Sequence, residues 1–248
     1  CFSCFDSFRI EEMNSYNNDG LHVIPVKGMP EVSPNDDLAE MISSSIDLVD
    51  GDVIVVTQKI VSKAENRLVE INPEIGHKPI VEEESVRILR RRGDLIISET
   101  EHGFVCANAG IDLSNVESGQ AALLPKFPDK SAKKMHDSLL HKHGVRVAVI
   151  ISDTFGRPWR RGVTDIAIGC FGLSPIIDLR GTQDALGREL QVTEVALVDE
   201  LAAAAELVMG KAEAIPVAVI RGVNPEWLGS KKGVVSEIVR SPEEDLFR

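Results

Sequence analysis

Aromatic residues are scarce in this chain: Phe, Trp and Tyr make up 4% of its 248 residues. Proteins that hold single-stranded nucleic acid stack successive bases on exposed rings, so the scarcity argues against such a platform. Positive charge is short as well. Lys and Arg number 27 against 39 Asp and Glu, a formal net charge of −12. The bulk field of so acidic a protein repels polyanions, so nucleic acid is not an expected partner. Any phosphate it binds must be met locally, by arginines, metal ions or backbone N–H groups. Long apolar runs are missing too: none approaches the roughly 20 residues of a membrane span. The most apolar helical stretch, residues 195–209, is broken by Asp199, Glu200 and Glu206. Asp6, Glu11 and Glu12 fall where a signal peptide would need its apolar region. There are four cysteines. Cys1 and Cys4 have metal-ligand spacing without a second pair, and Cys106 and Cys170 sit in apolar surroundings as small core residues. This usage suits a reducing cytoplasm, with no membrane partner.

Hydrophobic residues at 43% and charged residues at 27% are ordinary for a globular protein with a sizeable core. Residues 1–20 include the polar, turn-rich run Asn14-Ser15-Tyr16-Asn17-Asn18-Asp19-Gly20 and read as a disordered leader or an expression remnant. The folded unit is expected over 21–248. Strands are expected at 21–26, 53–57, 94–98, 103–107, 145–152, 166–171, 175–179, 217–221 and 234–239. Helices are expected at 36–46, 81–92, 131–143 and 193–209. Residues 81–92 are acidic first and basic later, which suits a helix macrodipole. The irregular order favours an α+β fold over a doubly wound sheet. Pro73, Gly76 and Pro79 mark a sub-lobe boundary near residues 75–79.

Five segments could carry chemistry. In Asn108-Ala109-Gly110-Ile111-Asp112-Leu113-Ser114-Asn115-Val116, Asp112 offers a hard oxygen ligand and Asn115 an amide. The same residues also suit an ordinary Asx turn. In Ile151-Ser152-Asp153-Thr154-Phe155-Gly156-Arg157-Pro158-Trp159-Arg160-Arg161-Gly162, a buried strand delivers an acid–hydroxyl pair, Asp153 and Thr154, to its carboxyl end. Three arginines follow, Arg157, Arg160 and Arg161. A carboxylate beside a hydroxyl suits Mg²⁺ or Mn²⁺, and guanidinium forks suit phosphate or carboxylate. Residues 178–189 alternate acids, arginines and glycines, as a polar substrate site or a salt-bridged hairpin would. Gly210-Lys211 has the ending of a phosphate loop, but Ala212 replaces Ser/Thr and the pair closes a helix instead of opening one, so the residues alone indicate a helix cap. Lys63, in residues 57–65, is either a phosphate contact or a surface lysine. No His or Cys spacing indicates zinc, and no nucleophile elbow is present.

These segments together resemble one family, the coenzyme F420-0:L-glutamate ligases, or γ-glutamyl ligases of F420 synthesis. The anchors are residues 107–116, 153–162, 178–190 and 199–211, in the same order. The resemblance implies a GTP-dependent enzyme that adds L-glutamate to the deazaflavin acceptor F420-0, and leaves open the addition of further γ-linked glutamates. Two divalent ions, Mg²⁺ or Mn²⁺, are implied, with a monovalent ion such as K⁺ as a further candidate. Asp112 and Asp153 match metal ligands, and Thr154 a ligand of the second ion. Asn115, Lys63 and the loop Met29, Pro30, Glu31 and Val32 match nucleotide contacts. So do Met209, Gly210, Lys211 and Ala212, with Glu213, Ala214, Ile215 and Pro216 after them. Gln58 aligns with a small hydroxylic residue in some members. The implied fold is two-lobed α+β with mixed and antiparallel sheets, forming an intertwined homodimer. Arg157, Arg160 and Arg161 are candidates, from their chemistry alone, for the acceptor's anionic groups or the transferring phosphoryl. The rival readings are an amide ligase for another carboxylate and a regulatory nucleotide-binding protein.

Overall fold

The computed structural model describes residues 20–114 and 119–246. Residues 1–19, with the leader reading, lie outside the described residues, and so does Asn115. The architecture is mixed α+β. The strands are β1 (His22–Pro25), β2 (Val53–Thr57), β3 (Leu68–Glu70), β4 (Ser85–Arg92), β5 (Leu95–Thr100), β6 (Val105–Ala107), β7 (Gln120–Ala122), β8 (Ala148–Gly156), β9 (Val163–Phe171), β10 (Ile177–Asp178), β11 (Glu194–Val195) and β12 (Val217–Arg221). The helices are α1 (Leu38–Ser45), α2 (Gln58–Ala64), α3 (Lys78–Glu83), α4 (Pro128–His143), α5 (Leu197–Met209) and α6 (Val234–Glu237). Among the described residues no helix is long and apolar enough to cross a membrane.

The core is a five-stranded sheet in the order β1-β12-β2-β8-β9, parallel between β2 and β8 and antiparallel elsewhere. β2 is β-branched throughout, and Val53, Ile54, Val55 and Val56 are all fully buried. A strand covered on both faces reads as a continuous apolar run, and β2 does. The two covering helices are α4 and α5. Gly169 of β9 lies so close to Pro128 that a Cβ there would come within 2.5 Å of the Pro128 carbonyl carbon, so α4 rests directly on β9. Smaller sheets flank the core: β3 with β7, β4-β5-β6, and β10 with β11.

Two expected elements are corrected. Residues 81–92 are not one helix: α3 ends at Glu83 and Ser85–Arg92 is a strand paired with β5. Its charges pair across elements, Arg91 with Glu82 and Arg87 with Glu99, instead of along a helix. Residues 234–239 are not a strand. Val234 and Val235 donate their N–H groups to the Asp129 carboxylate at 2.9 and 3.3 Å, which starts the single turn α6. Helix α2 and strands β3 and β7 were not expected from the sequence.

Candidate active site

Four chain segments meet at one end of the central sheet. β1, β2 and β8 run towards this end and β12 starts from it, as the register shows. Thr57 at the end of β2 donates its N–H to Pro216 O at 3.0 Å, which ties the segment before β12 to the start of α2. Crevices beyond the carboxyl ends of strands are where open α/β sheets hold ligands.

β8 is longer than its parallel neighbour. Ser152 pairs with Thr57, the last residue of β2, so Asp153 and Thr154 project past it. Successive strand residues point to opposite faces, so this pair straddles the sheet edge. Thr154 faces α5. Its hydroxyl donates to Asp165 Oδ1 at 2.7 Å and accepts from Lys211 Nζ at 2.6 Å. Lys211 also meets Asp165 Oδ1 at 2.9 Å and Glu206 Oε1 at 2.7 Å. A cation thus already sits in an all-oxygen cage on this face. Burial works against the Lys211 charge, but hydrogen bonds to Glu206 and Asp165 outweigh it and raise its pKa. Burial likewise raises Glu206, against the pull of Lys211.

Asp165 reaches Thr154 only because of a bulge. Ile151 pairs with Gly169, but the next residue, Ser152, pairs with Ala167, which leaves Ile168 extra on β9. Without that extra residue Thr154 would oppose Ile166, and Asp165 would lie on the other face. Asp165 is 2% exposed and also accepts from Ser152 Oγ at 3.3 Å.

Asp153 faces the other side, that of Asp112 and Cys106. Its carboxylate keeps a little solvent contact, yet burial dominates and pushes it up to about 7. The Thr154 N–H, at 2.8 Å, works the other way, while the charges of Asp112 and Asp165 add to the rise. The Cys106 thiol is pushed up to about 12, first by burial and then by Asp153. Asp112 is pinned by an antiparallel bridge to Ala122, which places it beside β7. Lys59, in the first turn of α2, meets Asp112 Oδ2 at 2.8 Å, and Ser114 donates to Oδ1 from its N–H at 2.7 Å and its hydroxyl at 2.8 Å. Burial would raise Asp112, but these partners hold it below its ordinary value.

The other expected residues fall nearby or at the rim. Lys63 pairs with Glu31 of the loop after β1, while Val32 is buried and Met29 half-buried. Gln58, 2% exposed, accepts from Ser62 Oγ at 2.9 Å, but its Nε2 has no partner among the described residues. Met209 is buried, and Gly210 closes α5 with a positive φ, so residues 210–216 cross the site as a loop. Arg157, Arg160 and Arg161 are exposed in the β8–β9 hairpin, where Arg157 Nη2 donates to Arg161 O at 3.2 Å. Residues 178–194 form a hairpin in which Arg180 bridges Asp178 and Glu194, beyond the opposite end of β9 and α5. The sequence reading missed Asp165, Glu206 and Lys59. Lys59 had a signal, since it comes two residues after the end of β2. Asp165 had none, because only the bulge turns it to Thr154.

Among the described residues no three His, Cys, Asp or Glu side chains gather as a complete metal cage. Mg²⁺ does not need one, since it takes one or two carboxylates and completes its shell with water and substrate phosphates. The donors here are hard oxygens. Among the described residues Asp112, Asp165 and Glu206 pair with Lys59 and Lys211, while Asp153 is raised first by burial and then by the charges of Asp112 and Asp165. The residues therefore fit a divalent cation that arrives with a phosphorylated ligand.

Comparison with known proteins gives this geometry a context. The family described as F420-0:Gamma-glutamyl ligase matches residues 28–222. The coenzyme F420:L-glutamate ligase of Methanothermobacter thermautotrophicus is 47% identical over 251 residues, covering 92% of this chain and 99% of that protein. The protein of the same name from Methanopyrus kandleri is 44% identical, covering 92% and 98%. That from Archaeoglobus fulgidus is 44% identical, covering 92% and 96%.

Proposed function

The chain belongs to the F420-0:gamma-glutamyl ligase family, and on that basis we propose that it joins L-glutamate to coenzyme F420-0 with GTP as the energy source. The supporting observation is the acid-rich end of the central sheet, where Asp112 and Asp153 meet beside the Thr154–Asp165–Lys211 cage.

A carboxylate is a poor acyl donor because its leaving group would be oxide. In the proposed reaction an acceptor carboxylate oxygen attacks the γ-phosphorus of GTP, the bond to the bridging β–γ oxygen breaks, and GDP leaves. The glutamate nitrogen then attacks the carbonyl carbon of the acyl phosphate. The C–O bond breaks, phosphate leaves, and the nitrogen loses a proton as the amide forms. Such chemistry depends on positioning and charge neutralisation more than on a protein nucleophile. Asp112 and Asp153 would hold one divalent ion and Thr154 would face a second. When bound, the ions offset charge on the nucleotide phosphates. Lys211, anchored by Glu206 and Asp165, holds a fixed cation beside Thr154, and Lys63 is assigned to the nucleotide. Met29–Val32, Gln58, Asn115 and Met209–Pro216 are assigned to the nucleotide. The orphaned Gln58 amide is a donor without an acceptor, as a ligand contact would require. Arg157, Arg160 and Arg161 are assigned to anionic groups of the acceptor.

The catalytic unit extends from residue 21, with a smaller lobe beginning near 75–79. Val86 and Leu89 of β4, the edge strand away from β6, are exposed, and a second copy of the chain is assigned to that edge. A direct test follows GDP release. It is expected only when divalent metal, F420-0 and L-glutamate are all present. GTP binding with no acceptor-dependent GDP would instead identify a regulatory nucleotide-binding protein.

A further inference from the structure

An apolar cavity of about 410 Å³ is lined in part by Phe155 and Ile166, the neighbours of Asp153 on the β8–β9 hairpin. Phe155 and Ile166 form one wall and Phe104 and Val105 another, while Ile238 and Val239 close it. The β8–β9 hairpin links the cavity to the site just described. Phe155 lies two residues beyond Asp153, and Ile166 is its cross-strand partner, so all three side chains share one face of the β8–β9 hairpin. Phe104 and Phe155 pack edge to face, with ring centroids 6.3 Å apart, which fixes the inner corner. The walls carry few polar atoms. Arg240 and Asp245 are the two charged residues of the lining, so the excess positive charge comes from the hairpin that supplies Phe155 and Ile166, which carries Arg157, Arg160 and Arg161 at its tip.

A pocket of roughly 300–1,000 Å³ with apolar walls and a few polar groups at its margin is the usual form of a small-molecule site. Its occupant must be flat and apolar enough for these walls, and must carry negative charge towards the arginines. Neither glutamate nor a nucleotide triphosphate fits that description as well as a tricyclic ring with an anionic tail.

We propose that this cavity receives the deazaflavin ring of the acceptor, which makes Val105, Phe155 and Ile166 specificity-determining residues. The proposal rests on the ligase reading, because the ring is assigned as part of the molecule whose carboxylate is activated next to Asp153. The walls select the ring, the arginines take the tail, and the acid-rich end of the sheet receives the carboxylate.

Val105 is 42% exposed, so it can be changed without opening the core. Val105→Trp fills the cavity and Val105→Asp charges its wall. With GTP and glutamate saturating, both variants are expected to raise the acceptor KM by at least about tenfold and to leave the GTP KM and kcat within about twofold. A hydroxydeazaflavin with its ribityl chain and no phosphate is expected to compete with the acceptor in the parent protein and to lose that inhibition in both variants. An acceptor KM within about twofold of the parent in both variants overturns the proposal. So does a KM change that appears only together with a change of oligomeric mass by light scattering, which would make the cavity a surface between copies. If the parent forms no glutamylated product at all, the ligase reading fails by itself. The cavity is then judged by fluorescence titration of the ring compound: binding to the parent but not to Val105→Trp keeps it as a ring site, and no binding to the parent removes it.

Discussion

Asp153 holds an unfavourable charge in the metal-free protein. Its folded pKa of about 7 lies above the ordinary 3.8, so the cost of ionisation is absent at pH 3, grows as pH rises between those values and is complete above pH 7. Asp153→Asn is therefore expected to raise the metal-free melting temperature at pH 7.5 by a few degrees. The same variant is expected to lose at least about a hundredfold in turnover. Thermal scans with and without Mn²⁺ and GTP separate the two effects: the parent gains stability from the pair and the variant does not. Lys211 has the opposite relation to its neighbours. Lys211→Met leaves Asp165 buried without its cation and is expected to destabilise the fold, while adding Asp165→Asn restores part of the loss. Denaturant midpoints of the two single variants and the double variant measure that coupling. At this scale the sequence was informative where polarity broke an apolar run. The apolar residues up to Ser152 made Asp153 and Thr154 stand out, although the strand expected to end at residue 152 continues through them to Gly156. Asp165 sits in an equally apolar run, and only the pairing partner of each residue distinguishes it.

The bulge at Ile168 and the contact of α4 with β9 together set which side chains meet. Gly169→Ala would drive a Cβ into the backbone of Pro128, where no side chain can move aside. The variant is expected to lose about 1–3 kcal/mol of stability, read from the urea midpoint, and to lose activity with it. Elements were legible when their signal was local. β2 has the predicted bounds, 53–57, because five consecutive β-branched residues, four of them buried, allow little else. Two elements were misread because the deciding partner was distant or the punctuation was underweighted. α6 is a helical turn because Asp129, 105 positions earlier, caps it. β4 is a strand because Gly93, with a φ of 62°, turns the chain back to β5. That glycine was visible in the sequence, but the ordering of acids before bases outweighed it.

For the whole molecule, a net charge of −12 and a phosphate-handling site are compatible because the positive charge is concentrated. Lys59, Lys63 and Lys211 all stand at one end of one sheet, each already paired with an acid. The proposed reaction uses metal to bring in the nucleotide, so GTP binding is expected to require a divalent ion and to disappear with a chelator. The exposed Val86 and Leu89 lead to the expectation of a dimer by light scattering, and Leu89→Arg is expected to shift it towards monomer. The α+β class was foreseen at this scale, whereas the sheet order β1-β12-β2-β8-β9 was not, because it joins strands from both ends of the chain. The most direct test of the account is mass spectrometry of F420-0 incubated with the protein, L-glutamate, GTP and Mn²⁺, beside the same mixture made with Asp153→Asn. The account predicts acceptor plus glutamate from the parent only when GTP and metal are both present, and almost none from the variant. Product formed equally well by the variant, or by the parent without GTP, would contradict it.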